Sequence, residues 1–317
     1  MSEFVTIGET CAVFAATYVG RMRYATSYEI RPGGSESTVA VGVARLGHSA
    51  SWVSRLGDDE LGHRILSIVR GEGVDTADVS MVQTHPTGLF VRERLPRGAA
   101  RHYYYRAGSA FSTLGPEDLP EELIAGARIL HLTGITPALS AANRAMVEQA
   151  MTIAERHGVT VLFDPNMRRK LWTAAEAREA LEPLMARADY VLPGMEDLQG
   201  LYGDNLTEED AITTLQRLGC RRIILKRGAH GAAVIADGKR EIAECRVVSD
   251  PHDLMGAGDA FAAGFAVGLL DGASTVEAAA LGNAVAGIAI QTSGNIESMP
   301  TGKEVEERRR GEKPVER

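Results

Sequence analysis

The sequence predicts an α/β fold in which a doubly wound, mostly parallel sheet carries helices on both faces and a small β-sheet lid stands off it. From residue 129 onward, short apolar runs alternate with helical segments, and this alternation is typical of parallel sheets with crossover helices. Two earlier stretches, about 10–33 and 87–110, show little helical periodicity and suit exposed antiparallel strands. We therefore expect one α/β domain over residues 1–302, with the lid formed by those two stretches.

The composition is ordinary for a soluble globular protein of 317 residues, of which 44% are hydrophobic and 24% are charged. A net charge of −8 gives no reason to expect nucleic acid or an anionic membrane as a partner. The cysteines Cys11, Cys220 and Cys245 are far apart and predict free thiols in a reducing cytosol. The sequence starts without a signal-peptide pattern, and no uncharged run is long enough to span a bilayer. We therefore expect a cytoplasmic protein that has neither nucleic acid nor a membrane as a partner.

The predicted elements follow the chain in order. Phe4–Ile7 is a short apolar run before a glycine and is consistent with a buried first strand. An alanine- and valine-rich helix over 35–46 follows the break Pro-Gly-Gly at 32–34. The further predicted strands are 51–56, 129–132, 159–163, 190–192 and 223–226, and the further predicted helices are 61–69, 141–157, 174–187 and 208–218. Residues 303–317 are nearly all charged or helix-breaking, which predicts a disordered tail.

Residues 253–259 read D-L-M-G-A-G-D and are followed by the uncharged run 260–270. A helix without charge on any face is buried all round, and we place its amino end at the glycine pair. Gly256 and Gly258 lack a Cβ atom and let an anion approach the backbone, where unpaired N–H groups and the helix dipole favour negative charge. Asp259 beside such an anion site suits a base that takes a proton from a hydroxyl during phosphoryl transfer.

Other glycine-rich motifs match this stretch less well. A dinucleotide-binding fingerprint needs a third glycine where Phe261 stands, and Asp259 would repel a pyrophosphate on the same N–H groups. A P-loop needs a lysine and then Ser or Thr after its last glycine, and no such string occurs in the chain. A plain helix N-cap with an acidic residue in its first turn remains an open alternative.

The string D-x-x-G-A-G-D-A-F resembles the carboxyl-terminal signature of the PfkB (ribokinase-like) family of sugar kinases. The resemblance implies a ribokinase-like fold with ATP and Mg²⁺ as cofactors, and it leaves a monovalent cation such as K⁺ open. It also implies that the backbone of Gly256, Ala257 and Gly258 forms the anion hole for the transferred phosphate and that Asp259 is the catalytic base. Relatives usually have Thr where this chain has Leu254.

A second resemblance to this family lies at the predicted first helix. Gly33 and Gly34 begin a stretch similar to the amino-terminal signature, in which the glycine pair closes on the sugar. An Asn usually stands where this chain has Thr38, and Thr keeps one donor and acceptor but lacks the amide fork. A plain helix with a Gly-Gly entry is the alternative interpretation.

The predicted lid contains the string Y-x-R-x-G-S-A, which resembles the substrate lid of the 2-keto-3-deoxygluconate kinases in that family. The matching positions imply that Tyr104 and Arg106 bind a sugar acid, and Phe90 stands where that group often has Tyr. Without the resemblance, cross-strand packing of aromatic residues explains the pattern equally well.

Further substrate contacts are expected outside the lid. Residues 164–168, D-P-N-M-R, follow a predicted buried strand, where open α/β sheets place ligands. The string D-x-N-x-R resembles the same kinases and implies that Arg168 contacts the substrate, with a solvated loop arginine as the alternative. Arg106 and Arg168 together could neutralise the carboxylate of a sugar acid. Asn295 stands where relatives frequently have Asp.

The resemblance also implies positions on the cofactor side. The residues expected near the nucleotide are Lys226, Gly228, Gly231, Asn283 and Asp253. For Lys226 a solvated strand end is the alternative. Glu196 is expected to help hold Mg²⁺ indirectly, through water or phosphate, although Gly194 replaces the usual Asn.

These observations predict an ATP-dependent kinase that phosphorylates a hydroxyl of 2-keto-3-deoxygluconate or a similar sugar acid. A kinase for a neutral sugar or a nucleoside, for example ribose or fructose, is one alternative. A sugar-binding relative with impaired catalysis is another, because four signature positions are replaced: Thr38, Gly194, Leu254 and Asn295. The exposed lid strands offer an edge for pairing, so a homodimer through the lid is a further expectation.

Overall fold

A nine-stranded sheet forms the body of the protein, and a four-stranded sheet stands beside it. The computed structural model describes residues 2–96, 100–245 and 251–310. In chain order the strands are β1 (Phe4–Ile7), β2 (Cys11–Val19), β3 (Tyr28–Gly33), β4 (Ala50–Gly57), β5 (Val79–Val82), β6 (Leu89–Arg94), β7 (Ala100–Tyr105), β8 (Ile129–Thr133), β9 (Thr160–Asp164), β10 (Tyr190–Val191), β11 (Ile223–Lys226), β12 (Ala232–Ala236) and β13 (Lys239–Ala243). The helices are α1 (Ser35–Arg45), α2 (Glu60–Gly71), α3 (Glu121–Ala125), α4 (Ala141–His157), α5 (Ala174–Arg187), α6 (Met195–Tyr202), α7 (Glu208–Arg217), α8 (Ala257–Leu270), α9 (Thr275–Ala289) and α10 (Gly302–Arg310).

The large sheet is parallel except at one edge. Its strand order is β13-β12-β11-β10-β9-β8-β1-β4-β5. Neighbours from β11 to β5 pair in parallel, whereas β12 pairs antiparallel with both β11 and β13. Parallel neighbours need crossover connections, and helices supply most of them. The predicted doubly wound, mostly parallel sheet is confirmed.

Helices cover both faces of this sheet. In β9, Val161 and Phe163 belong to the apolar cluster formed with α4, α5, α6 and α7, whereas Leu162 belongs to the cluster formed with α1, α2, α8 and α9. Successive side chains of a strand point to opposite faces, so each central strand is buried on both sides. Within the described residues, no helix has the length and apolar character needed to cross a membrane.

The small sheet has the strand order β3-β2-β6-β7. Its β6–β7 hairpin is antiparallel, as predicted, whereas β2 and β6 pair in parallel. Residues 97–99, between β6 and β7 in sequence, lie outside the described part of the chain. Phe90 stands opposite Tyr104, and Arg92 opposite His102, so these four residues share one face of the sheet. We call this sheet the lid.

The carboxyl-terminal segment is helical where the sequence predicts disorder. Thr301 and Glu304 form a capping box at the start of α10, in which the Glu304 carboxylate accepts hydrogen bonds from the N–H and hydroxyl groups of Thr301 at 2.7 and 2.8 Å. Val305 is buried in the apolar cluster that contains α8 and α9. The prediction of disorder is therefore wrong for residues 303–310, and residues 311–317 lie outside the described part.

Candidate active site

Helix α8 begins at a glycine in the left-handed conformation. Gly256 has a φ of 80°, which residues with a Cβ atom rarely adopt. The helix is buried from Asp259 to Gly268, as its uncharged sequence predicts. The N–H groups of Gly258 and Asp259 donate no hydrogen bond to the described residues. Free N–H groups at the positive end of a helix are suited to bind an anion.

Asp259 is the third residue of α8 and is only 9% exposed. Its Oδ1 accepts a 2.5 Å hydrogen bond from the Ser35 hydroxyl. Burial raises the pKa of the Asp259 carboxyl to about 7, although Ser35 and Arg168 act in the opposite direction. Asp259 can therefore exchange a proton near neutral pH, which is what a general base must do.

The glycine pair 33–34 brings the start of α1 close to neighbouring backbone. A Cβ atom at Gly34 would lie 2.4 Å from the carbonyl oxygen of Glu9, so only glycine is accommodated there. A Cβ atom at Gly33 would lie 2.4 Å from Val13 Cγ2 on the lid. The close approach presents Ser35, the first residue of α1, to Asp259. Ser35 was not predicted as a site residue, and its only sequence signal is a hydroxyl directly after the glycine pair.

Lys226 ends β11 beside the start of α8. Its Nζ lies 2.6 Å from Asp164 Oδ2, and a Cβ atom at Gly258 would lie 3.6 Å from that Nζ. Burial opposes the charge of Lys226, but Asp164 and Asp197 outweigh burial and raise its pKa. A positive charge therefore lies next to the free N–H groups of α8, which strengthens the same anion site.

Two adjacent acidic residues at the start of α6 have different surroundings. Asp197 accepts hydrogen bonds from the N–H groups of Met167 and Gly194, both at 2.8 Å, and burial together with Asp164 raises its pKa. Glu196 is exposed, and its side chain has no hydrogen bond or ion pair with a described residue. No cluster of three or more His, Cys, Asp or Glu suited to a metal occurs in the described ranges. Contact of Glu196 with Mg²⁺ through water or phosphate stays a prediction, and Asp197 is the acidic residue that sequence reasoning missed.

The predicted sugar-binding residues of the lid form one cluster. The rings of Phe90 and Tyr104 have centroids 5.5 Å apart, and Arg106 Cζ lies 5.8 Å from the centroid of Tyr104. Arg106 Nε donates a 2.7 Å hydrogen bond to Oε2 of Glu9, which is buried. A carboxylate of the protein therefore already neutralises Arg106.

Arg168 differs from Arg106 in having no such partner. It is exposed in the loop after β9, and its side chain forms no hydrogen bond or ion pair with the described residues. Burial raises the pKa of both Asp259 and Asp197, and the positive charge of Arg168 opposes both shifts. Arg168 is thus near the candidate base and can bind an anion without losing a protein partner.

Thr38 and Asn295 each have a buried side-chain oxygen without a partner among the described residues. Thr38 is fully buried in α1. The Cα atom of Asn295 lies 3.5 Å from the place that a Cβ atom at Gly256 would occupy. Asn295 therefore lies at the start of α8, whereas Thr38 is closed off from the surface, and contact of either residue with a substrate stays a prediction.

Asp253 contacts the lid. Its carboxylate accepts hydrogen bonds from Arg92 Nη1 and Nη2 at 2.9 and 3.0 Å, and a third from the Met255 N–H at 3.1 Å. Burial alone would raise the pKa of Asp253, but these donors outweigh burial and hold it below its usual value. Sequence reasoning missed Arg92. A nucleotide contact by Asp253 stays a prediction.

Two of the remaining residues predicted to contact the nucleotide, Asn283 and Gly231, lie near the end of β13. Asn283 Nδ2 donates to the carbonyl oxygens of Ala243 and Glu244, at 2.9 and 3.3 Å. A Cβ atom at Gly231 would lie 2.2 Å from the same Ala243 oxygen, so this position requires glycine. Gly228 has a φ of 58° in the turn after Lys226. A cavity between α9 and α10 is lined by Glu244, Ala280, Asn283, Ala284, Gly287, Arg308 and Arg309.

The start of α8 therefore combines three chemical functions. A carboxyl with a pKa near neutrality can take a proton from a hydroxyl. Free N–H groups and Lys226 can stabilise an anionic group in transfer. Arg168 can bind a second anion within reach of the same carboxyl. This combination suits transfer of an anionic group to a hydroxyl of an acidic small molecule.

Comparison with known proteins gives matches over nearly the whole chain. Residues 1–302 match the family described as pfkB family carbohydrate kinase. The chain is 35% identical to the 2-dehydro-3-deoxygluconokinase of Bacillus subtilis (strain 168), over 94% of this chain and 93% of that protein. It is 36% identical to the 2-dehydro-3-deoxygluconokinase of Thermoproteus tenax, over 97% and 94%. Among solved structures, it is similar to the crystal structure of a PfkB protein from Polaromonas sp. JS666, with a TM-score of 0.87, 34% identity and coverage of 96% and 99%.

Proposed function

Since the chain belongs to the pfkB family of carbohydrate kinases, we propose that it transfers the γ-phosphoryl group of ATP to a hydroxyl of 2-keto-3-deoxygluconate or a closely similar sugar acid. Support for the acid comes from the relatives in Bacillus subtilis and Thermoproteus tenax, whose names state that activity. The observation that carries the proposal is the positive charge of Arg168, which acts on Asp259 and has no ion-pair partner among the described residues. A neutral sugar offers that charge no opposite charge to pair with.

In the proposed reaction Asp259 takes the proton of the acceptor hydroxyl. Its pKa of about 7 means that a large share of the carboxyl is ionised at neutral pH. The free N–H groups of Gly258 and Asp259, together with Lys226, stabilise the charge on the phosphoryl group as it moves. Gly256 forms the turn before α8, Ala257 is the first residue of the helix, and both belong to this anion hole.

The sugar acid lies between the lid and the start of α8 in this proposal. Arg168 binds its carboxylate, and Arg106 contributes through its ordered position above Tyr104. Phe90 offers an apolar face without a hydroxyl, while Asn295, Gly33 and Gly34 border the remaining space. Thr38 is also proposed to act on the sugar side. Because its side chain is fully buried, it acts through the packing of α1.

ATP is proposed to lie along the loop after β11, with its base toward the cavity at Asn283. Gly228 and Gly231 give that loop its turns. Mg²⁺ bound to the phosphates would neutralise their charge, and Glu196 would contact it through water. The proposal includes activation by a monovalent cation such as K⁺, which a comparison of potassium and tetramethylammonium buffers tests.

We also propose that the protein is cytoplasmic and that it forms a homodimer through the lid. Its support is a set of exposed side chains on the lid and its connections: Tyr18, Val19, Tyr24, Tyr28, Tyr103 and Tyr105. Tyr103 and Tyr105 alternate with Tyr104 and therefore face away from it. Several exposed aromatic side chains on one small sheet are a feature that protein interfaces often have. Light scattering on the intact protein and on a Tyr103→Ser, Tyr105→Ser variant tests the pairing.

A panel of phosphoryl acceptors tests the substrate. The intact enzyme, ATP and Mg²⁺ are assayed by ADP release with 2-keto-3-deoxygluconate, the galactonate epimer, fructose, ribose and adenosine. We expect the highest kcat/KM with one of the two acids. A higher kcat/KM with fructose, ribose or adenosine would show that the substrate is a neutral acceptor and not a sugar acid. Sugar binding without ADP release would indicate a relative with impaired catalysis.

A further inference from the structure

Ser35 connects the candidate base to a second segment of the chain. Its Oγ lies 2.5 Å from Asp259 Oδ1 and 3.0 Å from Asn166 Nδ2. These residues come from the start of α1, the start of α8 and the loop after β9. All three are buried, with exposed fractions of 8% for Ser35, 9% for Asp259 and 7% for Asn166. Water therefore has little access to replace either hydrogen bond.

The hydrogen bonds have a definite direction. The Asn166 amide nitrogen can only donate, so the Ser35 oxygen accepts from it. An ionised carboxylate can only accept, so the Ser35 hydrogen points to Asp259. Asn166 is itself fixed, because its N–H donates to Asp164 Oδ1 at 3.1 Å and its φ of 38° is a value that Asn tolerates better than most residues. Asp164 is in turn held by Lys226.

Three charged groups have the largest electrostatic effects on Asp259. Arg168 from the loop after β9 and Lys226 from β11 stabilise its ionised form, and Asp164 from β9 destabilises it. Burial opposes ionisation more strongly than any of them, and the Ser35 hydrogen bond is the largest effect in favour of it. Ser35 is thus the neutral group on which the ionisation of Asp259 depends most.

We propose that Ser35, held by Asn166, is a positioning residue for the base: its hydroxyl engages Oδ1 of Asp259, leaves Oδ2 for the acceptor hydroxyl, and favours the carboxylate form. This inference rests on the proposed function, in which Asp259 takes the proton of the acceptor.

The dependence of kcat/KM on pH in the Ser35→Ala enzyme tests the inference. A hydrogen bond from Ser35 stabilises the ionised carboxylate of Asp259. Its loss should therefore raise the pKa of Asp259, and with it the acidic limb of kcat/KM, by about one pH unit. At pH 7 kcat/KM should fall roughly fivefold, and it should return to the wild-type value near pH 9, because the base is then ionised in both enzymes. ADP is quantified directly by chromatography, so that no coupling enzyme limits the pH range.

Two further variants complete the test. Asn166→Gly keeps the positive φ and removes the donor to Ser35, and we expect a smaller shift in the same direction. Ser37→Ala is the matched control, because Ser37 lies two residues after Ser35 on α1 and its hydroxyl forms hydrogen bonds with Thr10 Oγ1 at 2.6 Å and the Gly34 carbonyl at 3.3 Å instead of with Asp259. Its acidic limb should coincide with that of the wild type.

The outcomes separate this inference from the proposed function. An acidic limb that stays in place in both Ser35→Ala and Asn166→Gly, with kcat reduced equally at all pH values, overturns the positioning role. Substantial turnover by Asp259→Asn overturns the base assignment and with it the inference. Should Ser35→Ala fail to fold by circular dichroism, the Asn166→Gly profile decides.

Discussion

Arg92 of lid strand β6 donates two hydrogen bonds to the carboxylate of Asp253, three residues before the glycine at which α8 begins, at 2.9 and 3.0 Å. The two side chains are 12% and 8% exposed. The pair joins the lid directly to the segment that leads into the anion site. Removal of either partner leaves the other charge buried and unpaired, which is costly.

Arg92→Ala should lower the free energy of unfolding by about 2–4 kcal/mol and raise KM for the sugar acid more than it lowers kcat. The physical reason is the unpaired Asp253 and the loss of the lid's attachment. Urea unfolding and steady-state kinetics measure the two effects. Arg94→Ala, on the same strand but exposed, is the control and should change unfolding by less than about 1 kcal/mol. If both substitutions had equal effects on unfolding and on KM, Arg92 would not be the residue that attaches the lid.

The Arg92–Asp253 pair also predicts a pH dependence of stability. The folded-state pKa of Asp253 is below its ordinary value of 3.8, so its contribution to stability is present above the unfolded pKa and is lost as pH falls through the folded value. We expect the difference in unfolding free energy between wild type and Asp253→Asn to be constant above pH 5 and to shrink below pH 4. A difference that grows on acidification would contradict this sign.

Asp259→Asn should lower kcat by about 10²–10⁴-fold while the sugar acid still binds. Asn fills the same space but cannot accept a proton from the hydroxyl. Isothermal calorimetry with the sugar acid and a single-turnover ADP assay measure binding and chemistry separately. Asp271→Asn, at the other end of α8, is the matched control and should keep wild-type turnover. A kcat within tenfold of wild type in Asp259→Asn would exclude it as the base.

The wild-type enzyme should show an acidic limb in kcat/KM with an apparent pKa near 7. Burial raises the pKa of Asp259 to about 7, and only the ionised carboxyl can take the proton, so activity should rise as pH increases through this value. Initial rates between pH 5 and 9 at constant ionic strength measure the limb. A limb near the ordinary Asp value of 3.8 would mean that the free enzyme exposes this carboxyl to water.

Arg168→Ala should raise KM for the sugar acid by about 10–100-fold, because a charge-assisted contact to the carboxylate is lost. Its neighbour Arg169 is also exposed but pairs with Asp204, and Arg169→Ala serves as the control with an expected KM within about threefold of wild type. The same two variants are assayed with any neutral sugar that reacts. If Arg168→Ala raised KM for the neutral sugar by the same factor, the arginine would not be recognising the carboxylate.

Local sequence was sufficient where neighbouring residues decide the structure. The left-handed turn at Gly256 and the buried helix after it follow from the order of glycines and apolar residues alone. The hairpin of β12 and β13 was equally readable, since Asp237 and Gly238 form its turn with φ values of 51° and 75°. An Asp-Gly pair is a strong hairpin signal, and here it follows the apolar strand A-A-V-I-A and precedes the more polar strand K-R-E-I-A.

Local sequence was insufficient where distant packing decides. The charged segment 303–310 has the composition of a disordered tail, but the burial of Val305 and the Thr301 capping box hold it as a helix. The choice between Glu196 and Asp197 is of the same kind. They are adjacent in sequence, and only the docking of α6 determines which carboxylate meets Lys226 and Asp164.

By itself the sequence determined the alternating strands and helices, the start of α8 at its glycines and the acid in its first turn, because periodicity, glycine conformation and helix polarity act over a few residues. Only the tertiary structure decided the pKa of that acid and whether the arginines around it are paired with a carboxylate. Ser35 and Asp259 are 224 residues apart, and Glu9 neutralises Arg106 across 97 residues. Burial and pairing of charges depend on which surfaces pack together, and no local pattern in the chain specifies that.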